Sequence, residues 1–318
     1  MYVSVMNKSR TKTVKDLVND FLRSQDVNEL SRREYSSVMN YFLRWVVVEG
    51  LDFWRLKKAD IIRYKSAMMS EGKSVYTISL YLTVIRKLFG FLTDMGYYDD
   101  NIVLGVKSPR KDNLFRKKYL TVDKVKELLG VIDTGTVAGK RDYAIISLMV
   151  RLGVRRVEVC RMKVGDFVTD DRLVVNLQRK GKVDKDCQLG ITPVILDCLN
   201  DYLVCRGELS GDSPLFVTHH PGYGGAPLNG VMISRIVKKY MKKVGLNDRY
   251  YTCHSLRHTA AVLSLKAGAS IYDVQQMLGH KSIDTTRIYL RAIDAEKMLD
   301  NPAIRCLDKL FGNGTNGV

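Results

Sequence analysis

Apolar side chains recur three and four residues apart through the first hundred positions, and that period commits this stretch to packed helices. Val14, Leu17, Val18, Phe21 and Leu22 fall on one helical face. A longer helix is predicted after Ser31, running through Tyr41, Phe42 and Trp45, and a third over Ala59 to Met69. Ser74 is placed to cap a fourth, with Ile78, Leu82, Ile85, Phe89 and Leu92 along one side. Gly72 and Gly96 punctuate these segments. Four helices of this length make a small all-α bundle. Arg86 and Lys87 lie opposite the apolar stripe of the fourth helix, on a face open to solvent or to a polyanion.

The helical pattern stops at Ser108-Pro109. Lys107, Arg110, Lys111, Arg116, Lys117 and Lys118 crowd together there against a single acid, Asp112, as in a basic interdomain linker. The 318 residues suit two domains: a helical unit over 12–106, a linker over 107–118, and a second unit over 119–318. In the second unit Thr121 is expected to cap a helix over Val122 to Leu129. Tyr143 to Leu152 reads as an apolar helix stopped by Gly153, and Leu173 to Leu177 alternates as a strand. Arg179-Lys180-Gly181-Lys182 turns the chain into a second strand reaching about Thr192, and the remainder of the chain is mostly helical. The predicted class is mainly α with a small β-hairpin: an N-terminal helical bundle followed by an α+β domain. Gly135 to Lys140 superficially resembles a phosphate loop. Its glycine spacing is one residue short, and Arg141 stands where a magnesium-binding Ser or Thr belongs, so ATP is not an expected ligand.

Charge narrows the partner. Lys and Arg number 51 against 34 Asp and Glu, a net charge of +17. Residues 1–118 carry 22 basic and 13 acidic groups (+9), and residues 119–318 carry 29 and 21 (+8). Both halves are basic, which favours a polyanion, with solubility as the plainer explanation. No run approaches the roughly 18 apolar residues of a membrane span. No lipidation motif or basic amphipathic terminus is present, and Met1 to Arg10 lacks an apolar core, so a membrane partner is not expected and a cytoplasmic location is. Cys160, Cys187, Cys198, Cys205, Cys253 and Cys306 form no C-x-x-C pair and read as reduced, mostly buried residues. His219 and His220 have no metal-ligating partner at suitable spacing, and no metal is expected anywhere.

Chemistry concentrates in five short motifs. His254 and Arg257 in His254-Ser255-Leu256-Arg257-His258 are three apart and share a helical face. Ser270 and Asp273 form a capping box for a helix that ends at Leu278-Gly279-His280, and Tyr289 comes nine residues later. Upstream stand Gly153-x-Arg155-x-x-Glu158 and, at the hairpin turn, Lys180-Gly181. In this order and spacing, across about 135 residues, the set resembles that of the tyrosine recombinases, or phage-type integrases. The N-terminal bundle is similar to that family's core-binding domain in its helical pattern. One departure is Arg179, where the family usually has Gly before the lysine.

The resemblance implies a tyrosine-recombinase catalytic domain and a specific chemistry. Tyr289 is the implied nucleophile. Its phenolate is also a good leaving group, so a 3′-phosphotyrosine can conserve the energy of the phosphodiester. Arg155 and Arg257 are the implied phosphate clamp, since a planar guanidinium donates bidentately to phosphate and can do the work that carboxylate-bound metals do elsewhere. Arg156 competes with Arg155 for that role. Lys180 is the implied general acid for the departing 5′-oxygen, with Lys182 as its rival. His254 is expected to meet the phosphate and manage the tyrosine's proton, and His280 to hydrogen-bond a non-bridging oxygen. Glu158 orients Arg155, and His258 supports by packing. Arg86, Lys87, Arg110, Lys111, Arg116, Lys117, Lys118, Arg179 and Lys182 are candidates for contacts to DNA.

The implied partner is double-stranded DNA bearing a specific recombination site, held by a tetramer, with an accessory DNA-bending protein as a further possibility. Neither metal nor ATP is implied. About a dozen residues precede the first predicted helix, which suits the compact two-domain type used by mobile elements, invertases and chromosome-dimer resolution systems. Ala295 to Phe311 continues past a break at Pro302 with Met298, Leu299, Ala303, Leu307, Leu310 and Phe311 on one side. That side either packs on its own domain or docks on a neighbouring subunit, as the family's tail does. A type IB topoisomerase-like enzyme and a catalytically silent DNA-binding protein are the competing readings.

Overall fold

A computed structural model describes residues 12–110, 118–169, 171–222, 224–299 and 301–311, and it divides the chain into two compact units, Met1–Asn113 and Leu114–Val318.

The first unit consists of α1 (Val14–Ser24), α2 (Glu29–Val48), α3 (Lys58–Ser70) and α4 (Val75–Asp94). Thr13 and Asp16 close a capping box on α1, and the Ser74 hydroxyl accepts from the Thr77 amide at 3.1 Å to start α4. α2 begins earlier than Ser31 suggested. Asn28 caps it, accepting from the Ser31 amide at 2.9 Å, so Ser31 lies inside the first turn. Leu17, Phe21, Phe42, Tyr64 and Phe89 meet in the core, with Phe42 edge-on to Tyr64 (centroids 5.1 Å apart) and to Phe89 (6.2 Å). By length and mean hydropathy α4 is apolar enough to cross a bilayer, contrary to the expectation that no segment would be. In the fold it is the bundle's core helix, burying Ile78, Leu82, Val84, Ile85, Leu88, Phe89 and Leu92. Each such burial stabilises by about 1.5–3 kcal/mol. On its other side Arg86 donates from Nη2 to the Val106 carbonyl (3.0 Å), while Lys87 stays exposed with its ammonium 5.4 Å from the Tyr35 ring.

The second unit runs α5 (Val122–Gly130), α6 (Val137–Arg151), α7 (Arg156–Arg161), β1 (Phe167–Val168), β2 (Val174–Leu177), β3 (Cys187–Gly190), α8 (Pro193–Val204), α9 (Gly230–Lys243), α10 (Cys253–Lys266), α11 (Ile271–Leu278), α12 (Ile283–Leu299) and α13 (Pro302–Phe311). Thr121 caps α5 as predicted. α6 starts six residues before Tyr143: the Thr136 hydroxyl accepts from the Gly139 amide at 3.1 Å. The stretch resembling a phosphate loop is therefore a helix start, and a Cβ at Gly139 would lie 1.7 Å from the Asp133 carbonyl oxygen. Arg141 is structural, donating to Asp142 and to the Val217 carbonyl.

The sheet has the order β1-β2-β3, antiparallel throughout, with Val175 opposite Leu189 and Leu177 opposite Cys187. The two-residue β1 was not anticipated. The β2–β3 connection spans residues 178–186, longer than the four-residue turn expected. α6 lies at the centre of the main core with Ile145, Leu148 and Met149, packed with Val175, Leu177, Ile195, Leu199, Ile233 and Val237. A second cluster joins α10, α11 and α12 through Ala261, Val262, Val274, Leu278, Tyr289 and Ala292. Among the described residues nothing covers the apolar side of the tail: Leu299, Leu307, Leu310 and Phe311 are all exposed.

Candidate active site

Gly153, in the left-handed region at φ +62°, turns the chain from α6 into α7. A Cβ there would come within 2.6 Å of Leu278 Cδ2, so the turn is pressed against α11. Arg155 occupies the N-cap of α7. Glu158, three residues on, reaches back to accept from the Arg155 amide at 2.7 Å and from its Nη1 at 2.9 Å. Arginine has no acceptor with which to return the bond, so the carboxylate's half of a capping box stands alone. The Glu158 side chain is 0% exposed, and it holds the Arg155 guanidinium in place. Arg156, the competing candidate, turns to the Ser234 hydroxyl (2.6 Å).

Arg257, in the second turn of α10, is 1% exposed. It donates to the Gly153 carbonyl at 2.6 Å, to the Leu278 carbonyl at 2.6 Å and to His280 Nε2 at 3.1 Å. The Leu278 carbonyl also accepts from Arg155 Nη1 at 3.4 Å. Two cations thus share the carboxyl end of α11, where the helix dipole offsets part of their mutual repulsion. Burial, then Arg155, brings Arg257 down to about 10, so it stays charged at neutral pH.

α11 opens on the predicted Ser270–Asp273 capping box and closes at Gly279, φ +61°. His280 is next. Because Arg257 can only donate, His280 Nε2 must accept, and the ring proton sits on Nδ1, facing the Thr286 hydroxyl at 2.9 Å. Burial and the neighbouring arginines push His280 down to about 4, which keeps the ring neutral. Thr286 lies one turn before Tyr289 and is fully buried, so it ties the Leu-Gly-His turn to the tyrosine's helix. The sequence motifs did not include it; its only signal was a threonine three residues from the tyrosine on the buried face of α12.

Tyr289 is 2% exposed, and its hydroxyl lies in the field of the Arg257 and Arg155 guanidiniums of the same chain. Its ring stacks near-parallel to His280 (6.2 Å, 16°) and tilts against His258 (5.3 Å), which in turn meets His254 edge-on at 4.9 Å. Burial raises the phenol above its usual range while Arg257 and Arg155 pull it back. The group is a neutral phenol already facing the cation that would stabilise its anion.

Arg155, Glu158, Arg257, His258, His280 and Tyr289 are therefore brought together, with His254 at the exposed edge of the cluster. Lys180 is not gathered in: it is exposed at the turn after β2. Lys182 is exposed too, 3.6 Å from Asp186. Arg179 was expected to face DNA, and the structure corrects this. Its side chain points inward, 6% exposed, with Nη2 donating to the Met277 carbonyl at 2.8 Å and Nη1 3.6 Å from Glu158. The carboxyl end of α11 and the buried carboxylate draw it in. Arg110 is exposed, and Lys118 is paired with Asp248 at 2.8 Å. Lys111, Arg116 and Lys117 lie outside the described residues. Among the described residues no three His, Cys, Asp or Glu are gathered as a metal ion would need.

Residues 118–296 match the phage integrase family, and residues 14–96 match the phage integrase N-terminal SAM-like domain. The chain belongs to the phage integrase family, and within it is a tyrosine recombinase, an enzyme of DNA strand exchange. Tyrosine recombinase XerD of Listeria monocytogenes serotype 4b (strain F2365) is 28% identical over 286 residues, covering 86% of this chain and 93% of that protein. Among solved structures, XerH site-specific recombinase bound to palindromic difH in a post-cleavage complex gives a TM-score of 0.71 at 18% identity, over 91% of this chain and 85% of that one. A lambda integrase dimer bound to a COC′ core site gives 0.68 at 21% identity, over 87% and 77%. The mainly helical fold with its small antiparallel sheet is the one these structures share.

Proposed function

We propose that Tyr289 cuts one strand of duplex DNA at a specific site by attacking its scissile phosphate. The Tyr289 Oη–P bond forms as the P–O5′ bond breaks, leaving a 3′-phosphotyrosine and a free 5′-hydroxyl. A 5′-hydroxyl from a second strand then reverses the step and completes the exchange. The observation that carries this reading is the buried Tyr289 ring stacked on His280, whose Nε2 accepts from Arg257 within the same chain.

Arg155 and Arg257 bind the non-bridging oxygens, exchanging the Leu278 carbonyl for phosphate as the DNA enters. Two guanidiniums preorganised in a low-dielectric site neutralise the charge that grows in the transition state, so the step needs neither metal nor ATP. His280 gains a proton at Nε2 as the phosphate raises its affinity for one, and donates to a non-bridging oxygen. His254, at the open edge, meets the phosphate and handles the phenolic proton, with His258 packed between the two. Lys180 protonates O5′ when its hairpin meets the DNA.

The substrate is double-stranded DNA with a specific site, bound largely through phosphates by basic residues of each unit, Lys87 and Arg110 in the first and Lys118 and Lys182 in the second. The synaptic form is a tetramer in which the exposed apolar side of α13 docks on a neighbouring subunit, and an accessory DNA-bending protein serves at the site. The enzyme works in the cytoplasm, in integration or excision of a mobile element; resolution of chromosome dimers or DNA inversion would use the same chemistry. Incubation with nicked duplexes of candidate sites tests the reading: a denaturation-resistant adduct is expected, and sequencing the trapped DNA names the site. Relaxation of supercoils by a monomer with no sequence preference would replace recombination with a topoisomerase-like activity.

A further inference from the structure

Arg179 is a buried charge that the cleavage chemistry does not use. We infer that Arg179 is a positioning residue, a tether that fixes the Lys180 hairpin to the Glu158–Arg155 pair so that the general acid arrives in register with the phosphate clamp. The inference rests on the reading of Lys180 as the acid.

Arg179 reaches four partners, one through its backbone and three through its side chain. The Arg179 amide donates to Asp186 Oδ1 across the β2–β3 connection at 3.2 Å. Its Nη2 donates to the Met277 carbonyl at the end of α11 (2.8 Å) and contacts Cys187 Sγ on β3 (3.1 Å). Its Nη1 lies 3.6 Å from Glu158 Oε2, the oxygen that also accepts from the Arg155 amide. The stem crosses Gly279, where a Cβ would stand 2.8 Å from Arg179 Nε. Gly279 therefore has no side chain for two reasons: its φ of +61° and the arginine lying over it.

The arrangement separates two roles for a third arginine beside the clamp. Nε and Nη1 are buried and make no hydrogen bond, and Nη2 is already engaged, so the guanidinium has no face open to a phosphate. What it can do is hold its own backbone. Consecutive Cα atoms are about 3.8 Å apart, so anchoring Arg179 confines the base of Lys180 while leaving the exposed lysine side chain free to reach DNA. Lys185 pairs with Asp166 on the other arm of the connection, and Arg179 is the contact that joins it to α11 and Glu158; a displacement of about 1 Å in a proton donor can cost about a hundredfold in rate.

The test compares two leaving groups. In an ordinary phosphodiester O5′ departs with a proton from Lys180. In a 5′-bridging phosphorothiolate the P–S bond breaks and a thiolate departs with no proton. Lys180→Ala and Arg179→Gln are assayed in single-turnover cleavage of both substrates, after thermal melting confirms the fold. Arg179→Gln is expected to slow the phosphodiester by about 10- to 100-fold and to recover to within about threefold of wild type on the phosphorothiolate, in parallel with Lys180→Ala. Equal slowing on both substrates, or no slowing, while Lys180→Ala is rescued, overturns the tether. Failure of Lys180→Ala to be rescued overturns the acid assignment itself, and the tether falls with it. Should Arg179→Gln not fold, Asp186→Ala keeps the buried pair and removes only the backbone anchor. It is expected to give a smaller, equally leaving-group-specific defect, and a defect blind to the leaving group counts against the inference.

Discussion

Replacing Arg257 with lysine keeps a positive charge in the same place and removes the fork. The native guanidinium satisfies the Gly153 carbonyl, the Leu278 carbonyl and His280 Nε2 at 2.6, 2.6 and 3.1 Å. A lysine ammonium on a flexible stem reaches one of these, not three in a plane. Leu278 retains Arg155 at 3.4 Å, so the Gly153 carbonyl and His280 Nε2 bear most of the loss. At about 1–3 kcal/mol for each of these two buried acceptors left without its partner, Arg257→Lys should destabilise by about 2–6 kcal/mol. The effect on cleavage should be larger: the phosphate clamp loses one bidentate donor, and the rate should fall by about 10³-fold or more. Denaturant unfolding gives the first quantity, and single-turnover cleavage of a nicked duplex the second. A variant within about 0.5 kcal/mol of wild type that also cleaves within tenfold would refute the claim that the planar fork, not the charge, organises the site.

The same geometry sets three further outcomes. Thr286→Val removes the acceptor for His280 Nδ1 at nearly constant volume, and should cost about 1–2 kcal/mol in unfolding experiments while slowing cleavage more than DNA binding. His280 falls from its ordinary 6.5 to about 4 on folding, so below 6.5 the unfolded chain takes the proton first. The neutral ring's contribution is complete above about pH 6.5 and is lost as pH falls from there through 4, and His280→Gln should flatten that part of the stability profile relative to wild type. Cleavage in excess EDTA should equal cleavage with magnesium; a rate that collapses on chelation and returns with added metal would contradict a clamp made of guanidiniums.

The catalytic corner was legible because its spacing is local. Arg155 and Glu158 sit three apart at a helix start, His254 and Arg257 three apart inside a helix, and Ser270 with Asp273 marks where α11 begins. What escaped depends on side chains meeting across the fold. Thr286 matters only because α12 lies beside the Leu-Gly-His turn. Arg179 looked like a surface cation because its neighbours Lys180 and Lys182 are basic, yet the carboxyl end of α11 and Glu158 drew it inward. The early start of α6 was hidden by the glycines around Thr136, whose cap outweighs their poor helix propensity. Two-residue β1 carries too little alternation to be seen at all. Asn28, not Ser31, caps α2, because the helix begins in a polar stretch with no apolar period to mark its first turn.

The most direct measurement is to trap the protein on a nicked duplex, digest it, and find by mass spectrometry which side chain carries the nucleotide. The peptide bearing Tyr289 should hold it, and Tyr289→Phe should bind the same duplex yet carry none. A nucleotide on any other residue, or an undiminished adduct in Tyr289→Phe, would contradict the mechanism.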